Sequence, residues 1–249
     1  MTDTVFLDEV TSPRFAEIAA TGKMIVVLPV GSLEPHGPHL PLGTDALLSS
    51  ELAERSAKHL RKKGYEAWVA PMVPYGVTEC AAGFPGVVSL EAKILTPLVS
   101  SLIKGFLGQG VSHVCVVNNH LEPGHDAALR AAIEPIEKAS YACPLIRKFA
   151  RTLSDEFKSG KCHAGQYETS LVLAAKPELV NEKKRAGLPF VDVSLSEKLR
   201  DGVSDFREMG MDDAYAGAPT EGSAAEGEEL YQSLVAMVET LVEGALPLA

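Results

Sequence analysis

Residues 30–45 bring together side chains that bind metals or transfer protons, and they do so outside any regular element. Glu34, His36, His39 and Asp45 fall within twelve residues, among three glycines and three prolines. That glycine and proline content excludes a regular helix or a central strand. The stretch follows an apolar run, so it should lie at the carboxyl end of a buried strand, where open α/β sheets bind ligands. We interpret it as a metal or catalytic loop rather than a polar surface turn.

Further candidates for the same chemistry follow a later apolar run and a later loop. They are His120, Glu122, His163 and Glu168. Imidazoles with several carboxylates suit Zn(II), Mn(II) or Fe(II), not a thiolate site. The set exceeds what one tetrahedral ion uses, and a carboxylate such as Asp45 can bridge two ions. Ions about 3.5–4 Å apart hold a water of lowered pKa, whose hydroxide form can attack an amide carbonyl.

The elements that must position these loops alternate between strand and helix patterns. Strands are predicted over 23–30, 66–73, 111–117 and 144–149. Helices are predicted over 12–20, 46–63, 90–107, from after 126 to about 139, 168–175 and 224–242. Thr44 or Asp45 is the expected N-cap of the second helix, and Ser89 that of the third. This alternation is typical of a doubly wound, mostly parallel sheet flanked by helices. Without repeats or linkers, we expect one domain over residues 1–249, with 184–223 as a long functional or interface excursion.

Composition narrows the possible partners and location. The chain has 249 residues, 46% of them apolar, and a net charge of -10. Such acidity disfavours nucleic acid and anionic membranes as partners. We expect no signal peptide and no membrane span. Four separated cysteines form no C-x-x-C pair, so we expect neither a zinc finger nor a disulfide framework, and we predict a cytoplasmic soluble protein that acts on a small molecule.

Several blocks of the sequence resemble the creatininase (creatinine amidohydrolase) family, and together they span nearly the whole chain. The first block is residues 28–45, Leu-Pro-Val-Gly-Ser-Leu-Glu-Pro-His-Gly-Pro-His-Leu-Pro-Leu-Gly-Thr-Asp. The others are Pro-Tyr-Gly-Val-Thr with Phe-Pro-Gly within 74–86, Asn-Asn-His-Leu-Glu at 118–122, His-Ala-Gly-Gln-Tyr-Glu-Thr-Ser at 163–170, and residues 216–227. The resemblance implies a creatininase-like fold and a dinuclear metal hydrolase that cleaves the C–N bond of a small cyclic amide or formamide.

The resemblance also implies roles for individual residues. Glu34 and His120 would hold one ion, His36 and a carboxylate the other, and Asp45 would bridge both. The carboxylate is Glu122 in creatininase-like members and the equivalent of Glu168 in many others; this chain has both. Glu122 is also a catalytic candidate. His163 matches a histidine that assists proton transfer to the leaving nitrogen, a role that needs a pKa near the working pH. Relatives form hexamers, so we expect a homo-oligomer.

Residues of the matching loops should also form the substrate pocket. These candidates are Tyr75, Thr78, Cys80, Leu121 and His125. Creatininases enclose the creatinine ring with tryptophans, whereas this chain has only Trp68, inside a predicted strand. We therefore expect a substrate other than creatinine. Other branches of the family act on formamides, on peptides in cofactor maturation, or on cyclic sugar-derived ketones.

Alternative interpretations stay open at several positions. Glu122 could orient a ligating histidine, and Glu168 could cap the helix that it begins. His163 could be a packed core residue, and His125 a solvated one. A nucleotide-binding module is disfavoured because neither G-x-G-x-x-G nor G-x-x-x-x-G-K-[ST] occurs. A catalytically silent family member that retains its metals fits the same residues.

Overall fold

Four parallel strands form the sheet of the computed structural model, which describes residues 4–246. They are β1 (Met24–Val30), β2 (Glu66–Val69), β3 (His113–Asn118) and β4 (Ala139–Ala142), in the order β2-β1-β3-β4. Val27 of β1 pairs with Val69 on one side and with Cys115 on the other. Every residue of β1 and β3 is buried, which explains why both strands are continuous apolar runs.

Helices cover both faces of this sheet. They are α1 (Ser12–Ala19), α2 (Thr44–Lys62), α3 (Ala92–Gly108), α4 (Pro123–Ile133), α5 (Arg147–Ala150), α6 (Asp155–Ser159), α7 (Gln166–Ala175), α8 (Glu182–Arg185), α9 (Leu195–Arg200) and α10 (Ala224–Ala245). Ile25 and Val27 point toward a core shared with α2, α7 and α10. Val26 and Leu28 point toward a second core with α1, α3 and α4. The predicted doubly wound α/β fold is therefore confirmed.

The strand order creates a crevice at the carboxyl ends of β1 and β3. The connection from β1 to β2 runs through α2 on one face, and the connections to β3 and β4 run through α3 and α4 on the other. The chain therefore reverses its winding between β1 and β3, the position where such sheets bind ligands. The loops after these two strands carry Glu34, His36, His120 and Glu122.

The fourth strand is where the sequence-based prediction is wrong. Residues 144–149 were expected to form it, but β4 is Ala139–Ala142 and residues 147–150 form α5. The preceding helix, predicted to reach about residue 139, ends at Ile133. The polar, four-residue β4 is recruited by pairing with β3 at the edge of the sheet. Tertiary pairing, not local propensity, therefore determines this strand.

Three element ends also differ from their predictions. Thr44 and Asp45 lie inside the first turn of α2, whose N-cap is Gly43. Helix α3 begins at Ala92 after Glu91, and the Ser89 hydroxyl instead accepts the Thr78 N–H at 2.9 Å. Strand β2 ends at Val69 because the chain then turns toward the ligand loops, leaving one further bridge between Val73 and Val30.

The predicted excursion packs on the loops at the carboxyl edge of the sheet. Phe206, Met209 and Met211 form a small core with Cys80 and Ala81. All four strands belong to one sheet. One domain over residues 1–249 stays a prediction, and residues 1–3 and 247–249 of that range lie outside the described part. No helix within residues 4–246 is both long enough and apolar enough to cross a membrane.

Candidate metal centre and cavity

The loop after β1 delivers two ligand candidates and leads directly into α2. A Cβ on Gly31 would lie 2.6 Å from the Ala46 backbone, so only glycine lets the loop pass this close to the start of the helix. The turn continues through Gly37, whose φ of +64° is the left-handed region that glycine tolerates. As a result Glu34 and His36 are buried next to Asp45 in the first turn of α2.

Asp45 faces two imidazoles, one with each carboxylate oxygen. Its Oδ1 lies 3.2 Å from Nε2 of His36, and its Oδ2 lies 3.0 Å from Nδ1 of His120. The Ser32 hydroxyl donates a 2.6 Å hydrogen bond to Oδ2 and fixes the carboxylate plane. Two atoms that bind one zinc ion are about 3.0–3.4 Å apart, given bonds of about 2.0–2.2 Å. The arrangement thus fits a carboxylate that bridges two ions.

Backbone carbonyl groups orient both imidazoles. Nδ1 of His36 lies 3.1 Å from the Glu34 carbonyl oxygen, and Nε2 of His120 lies 2.7 Å from that of Val77. A ring nitrogen that donates to a carbonyl leaves the other nitrogen as a lone pair, the form that binds metals. Within residues 4–246, Nε2 of His36 finds no hydrogen-bond partner although it is buried. An orphaned buried nitrogen aimed at carboxylates fits a metal ligand.

The ligand atoms of the described residues form three overlapping groups of three, with all atoms of a group within 4.8 Å of one another. One is Glu34, His120 and Glu122, and a second is His36, Asp45 and Glu168; we call these two the ligand groups. The third, Glu34, His36 and His163, shares a residue with each of them. Oε1 of Glu34 lies 3.2 Å from Nδ1 of His120, the nitrogen that Asp45 also faces. Asp45 therefore connects the two groups. Oxygen and imidazole donors in this number match Zn(II) or Mn(II).

Charges in the cluster favour a cation. Burial alone would lower the pKa of His36, but Asp45, Glu168 and Glu34 outweigh it and raise this pKa to about 10. Burial raises the pKa of Glu168 to about 8, although His36 opposes the shift. Burial also acts to raise the pKa of Glu34, but the adjacent His120 lowers it overall. Positive charge is thus stabilised at the centre of the carboxylates, as a divalent site requires.

Hydrogen bonds hold the carboxylates of Glu34 and Glu122 in place. The Thr78 hydroxyl donates a short hydrogen bond to Oε2 of Glu34. Glu122 accepts the backbone N–H groups of Glu79 and Cys80 at 2.8 and 3.1 Å. Burial raises the pKa of Glu122, although His120 opposes this shift. A raised carboxyl pKa is suited to a group that exchanges protons.

His163 stands beside the cluster between two rings. Its ring centroid is 4.6 Å from those of His36 and Phe206, and its Nδ1 lies 4.0 Å from Oε1 of Glu34. Its Nε2 lies 3.0 Å from the Pro35 carbonyl oxygen. Burial and the neighbouring His36 lower its pKa to about 4. This is below the near-neutral value expected from sequence, because the residue is enclosed; the imidazole is neutral and can accept a proton.

Glu156 of α6 holds the loop that carries His163 and Glu168. Its Oε1 accepts the backbone N–H groups of Gln166 at 2.9 Å and Ala218 at 2.7 Å, and its Oε2 accepts that of Tyr167 at 2.7 Å. Two of these donors are the first N–H groups of α7, where a negative charge is favourable. The side chain thereby fixes the start of α7, and Glu168 lies in its first turn.

A cavity of about 290 Å³ opens above the two ligand groups. Its floor is formed by Glu34, Asp45, His120, Glu122, His163 and Glu168. Its walls are Cys80, Leu121, Pro123, Leu145, Phe157, Lys158, Gly160, Cys162, Leu195, Ser196, Leu199, Phe206 and Met209. The volume is at the lower end of the about 300–1,000 Å³ typical of ligand pockets, which suits a small substrate or a chain end.

The predicted pocket residues are only partly brought to this cavity. Cys80 and Leu121 line it. Thr78 is buried behind Glu34, and His125 is buried behind His120, where its Nδ1 accepts the Val77 N–H at 3.2 Å. Tyr75 is 43% exposed and does not line the cavity.

Two other histidines and the tryptophan do not line the cavity. His39 reaches the Thr169 hydroxyl at 2.9 Å. His113 begins β3 and lies 2.8 Å from the Ser140 hydroxyl, away from the cluster. Trp68 is buried in β2 with Arg61 over its ring, so it does not line the cavity.

Sequence reasoning missed several contributors to the site. They are Ser32, Glu156, Phe157, Lys158, Phe206 and Met209. Only Ser32 carried a signal, since it lies within the first ligand loop. The others come from α6 and from the weakly patterned segment 184–223, where neither spacing nor residue type pointed to the site.

Known proteins resemble this chain along most of its length. The family model described as "Creatininase: Creatinine amidohydrolase" matches residues 8–242. A mycofactocin precursor peptide peptidase from Mycolicibacterium smegmatis is 30% identical over 214 residues, 85% of this chain and 81% of that protein. A creatinine amidohydrolase from Pseudomonas putida is 30% identical over 201 residues, which cover 73% of this chain and 75% of that protein. A 3-dehydro-scyllo-inosose hydrolase from Thermotoga maritima is 29% identical over 171 residues, which cover 64% of this chain and 52% of that protein.

Solved structures share the fold. A structure titled "Creatininase Mn" matches with a TM-score of 0.74 and 22% identity, covering 99% of this chain and 100% of that one. A Zn–Zn form of a creatininase mutant matches with a TM-score of 0.75 and 22% identity, with the same coverage. These similarities agree with the five blocks recognised in the sequence and with the carboxylate–imidazole cluster. The chain belongs to the creatininase family of metal-dependent hydrolases.

Proposed function

We propose that this protein hydrolyses the C–N bond of a small amide, cyclic amide or formamide at a centre of two divalent ions. The observation that carries the proposal is Asp45, whose two oxygens face His36 and His120 at 3.2 and 3.0 Å. A carboxylate in that position contacts one imidazole of each ligand group, as a bridging ligand would. Relatives solved with manganese or with two zinc ions support these metals over iron.

We assign the ligands from the two three-residue groups. Glu34 and His120 would hold one ion, and His36 and Glu168 the other, with Asp45 shared. Glu168 is favoured over Glu122 for the second ion, because its Oε2 lies 3.5 Å from Nε2 of His36. Glu122 lies on the opposite side, with Glu34 and His120.

The chain's own residues then divide the proton transfers. Two divalent ions would supply a water of lowered pKa and polarise the carbonyl oxygen. Glu122, a carboxylate at the cavity floor with a raised pKa, is placed to take one proton of the attacking water. His163 is neutral, so it would first accept the second proton of that water at Nδ1, the ring nitrogen on the side of Glu34, and then pass it to the leaving nitrogen. Cys80 would only pack, because burial raises the pKa of its thiol.

Metal analysis and one substitution test the dinuclear centre. Elemental analysis of protein purified without added metal should give about two ions per chain. Asp45→Asn should fold but lose turnover of N-formyl amino acids or cyclic amides, and His120→Ala should lose metal. His59→Ala removes an imidazole that pairs with Glu239 on the surface and should keep both. A folded Asp45→Asn variant with unchanged turnover would refute the mechanism, because the metal site would then have no role in catalysis.

A peptide end is a second candidate substrate. The relative from Mycolicibacterium smegmatis is named a precursor peptide peptidase, and Leu145 at the cavity wall is 42% exposed, so a longer chain could extend from the cavity. The absence of tryptophan from the walls in the described part of the chain disfavours creatinine. C–C hydrolysis of a cyclic ketone has no specific support from the cavity. Cytoplasmic location and a homo-oligomer stay predictions.

A further inference from the structure

The cavity has mostly apolar walls and a polar floor. Above the polar floor, most of the wall is apolar, with Leu145, Phe157, Leu195, Leu199, Phe206 and Met209 facing the space. Phe157 comes from α6, and Leu195 and Leu199 come from α9. A substrate that fills this space must bring apolar surface, because burying a polar group against such walls without a partner is unfavourable.

One wall residue breaks this pattern. Lys158, also from α6, lines the cavity, and within residues 4–246 it is the only lysine or arginine that does so. Its Nζ lies 2.6 Å from Oδ1 of Asp155, whose side chain is 99% exposed. An ion pair this exposed contributes little stability, so another carboxylate can replace Asp155 as its partner.

The charge balance of the floor makes this lysine significant, and this step rests on the proposed function. The floor carries the four carboxylates of Glu34, Asp45, Glu122 and Glu168. Two divalent ions would neutralise them, so Lys158, whose partner Asp155 is almost fully exposed, would be the remaining charged group that lines the cavity. The chain as a whole carries a net charge of -10 and repels anions. An anionic substrate therefore needs a local cation at the mouth.

We propose that the substrate is an amide that carries a free carboxylate and a bulky apolar group, with Lys158 binding the carboxylate and the Leu/Phe/Met walls binding the apolar group. An N-acylated apolar amino acid and the carboxyl-terminal residue of a peptide share this chemistry. In both, water adds to the carbonyl carbon, the C–N bond breaks, the nitrogen leaves with a proton as an amine, and the acyl group becomes a carboxylic acid.

Matched substrates test the role of the carboxylate. N-formyl-L-leucine and N-formylisoamylamine present the same scissile bond and the same branched chain, but the second lacks the carboxylate. We expect wild type to prefer the acid, and Lys158→Ala to reduce the ratio of the two kcat/KM values about tenfold. Lys158→Glu should reduce it further. Lys104→Ala, which removes one exposed positive charge on α3, should leave the ratio unchanged.

Two further measurements separate the possible sources and the possible failures. Hydrolysis of acetyl-Gly-Leu but not of N-formyl-L-leucine would assign the carboxylate to a peptide end; the reverse would assign it to a small N-acyl amino acid. Calorimetry can measure the binding of 4-methylpentanoate and of 4-methylpentanamide, and this measurement does not depend on turnover. If neither amide is hydrolysed, the proposed reaction fails, but a selective loss of 4-methylpentanoate affinity in Lys158→Ala still supports the role of Lys158.

The inference is overturned by one pattern in either assay. If the acid-to-neutral ratio, or the affinity for 4-methylpentanoate relative to the amide, is the same in wild type and Lys158→Ala, then Lys158 is only a solvated surface residue. A direct carboxylate–metal contact would give that same result, since it does not involve Lys158. In that case Asp45→Asn would still abolish hydrolysis, so the metal mechanism would survive.

Discussion

The substitution Glu156→Gln should test whether the hydrogen bonds at the start of α7 stabilise the candidate metal site without altering any of its ligands. Glu156 contacts no residue of the ligand groups directly, but three backbone N–H groups end on its carboxylate. Glutamine has nearly the same shape, but it offers one oxygen and one amide nitrogen, and that nitrogen cannot accept from an N–H group. At least one donor at the start of α7 therefore loses its partner.

The magnitude follows from the type of hydrogen bond that is lost. A bond to a charged group contributes about 1.5–3 kcal/mol, and the two remaining bonds become neutral ones. Releasing the buried charge offsets part of this loss, so we expect the free energy of unfolding to fall by about 2 kcal/mol. For a chain of this size, that corresponds to a melting temperature lower by about 4–8 °C.

Thermal unfolding followed by circular dichroism near neutral pH measures this change. Glu197→Gln is the matched control, because Glu197 is exposed on α9 and has only a 3.9 Å ion pair with Arg200. Elemental analysis should also show reduced metal content in Glu156→Gln, since Glu168 lies one turn from the lost contact. Equal melting temperatures for Glu156→Gln, Glu197→Gln and wild type would refute the reasoning that Glu156 fixes α7.

Three further outcomes are expected. Thr78→Val removes the hydroxyl that orients Glu34 and should weaken metal affinity by about 10–100-fold, measured by competition with a chelator; unchanged affinity would contradict this role. Burial lowers the pKa of His113 to about 4, below its value in the unfolded chain. The unfolded state therefore binds more protons than the folded state as the pH falls from about 6.5 to 4. Over that range the free energy of unfolding should drop by up to about 1.4 kcal/mol per pH unit. His113→Gln should show a shallower drop in denaturant titrations over that range, and an identical slope would exclude the explanation. Burial raises the pKa of Cys80 and of Cys143, so iodoacetamide near pH 8 should label both slowly in the folded protein and rapidly in urea; rapid labelling of the folded protein would show that these thiols are reactive.

The parts of the fold that the sequence revealed are those with strong local patterns. Strands β1 and β3 are buried on both faces and rich in valine, and α10 has a long amphipathic pattern. Strand β4 has no such pattern, because Ala-Ser-Tyr-Ala is short and forms only by pairing with β3. The more apolar residues 144–149 were therefore mistaken for it.

The same distinction applies to the candidate site. Glu34, His36 and Asp45 are close in sequence and occur in a loop that glycine and proline mark, so their proximity was predictable. The contributions of Lys158 and Phe206 depend on how segments 155–159 and 195–209 fold over the cavity. No sequence periodicity predicts that packing. Tyr75 is the opposite case, a residue predicted to line the cavity whose loop reaches the site but whose side chain does not.

The ligand groups are assembled from segments that are far apart along the chain, which has a consequence for biosynthesis. Glu34 and Asp45 leave the ribosome more than a hundred residues before Glu168, so a growing chain can form at most part of the ligand set. Helix α7, which carries Glu168, packs against α10, the last helix in the described part of the chain. The complete ligand set can therefore form only after α10 has been synthesised, and in the proposed mechanism both ions would bind after that stage.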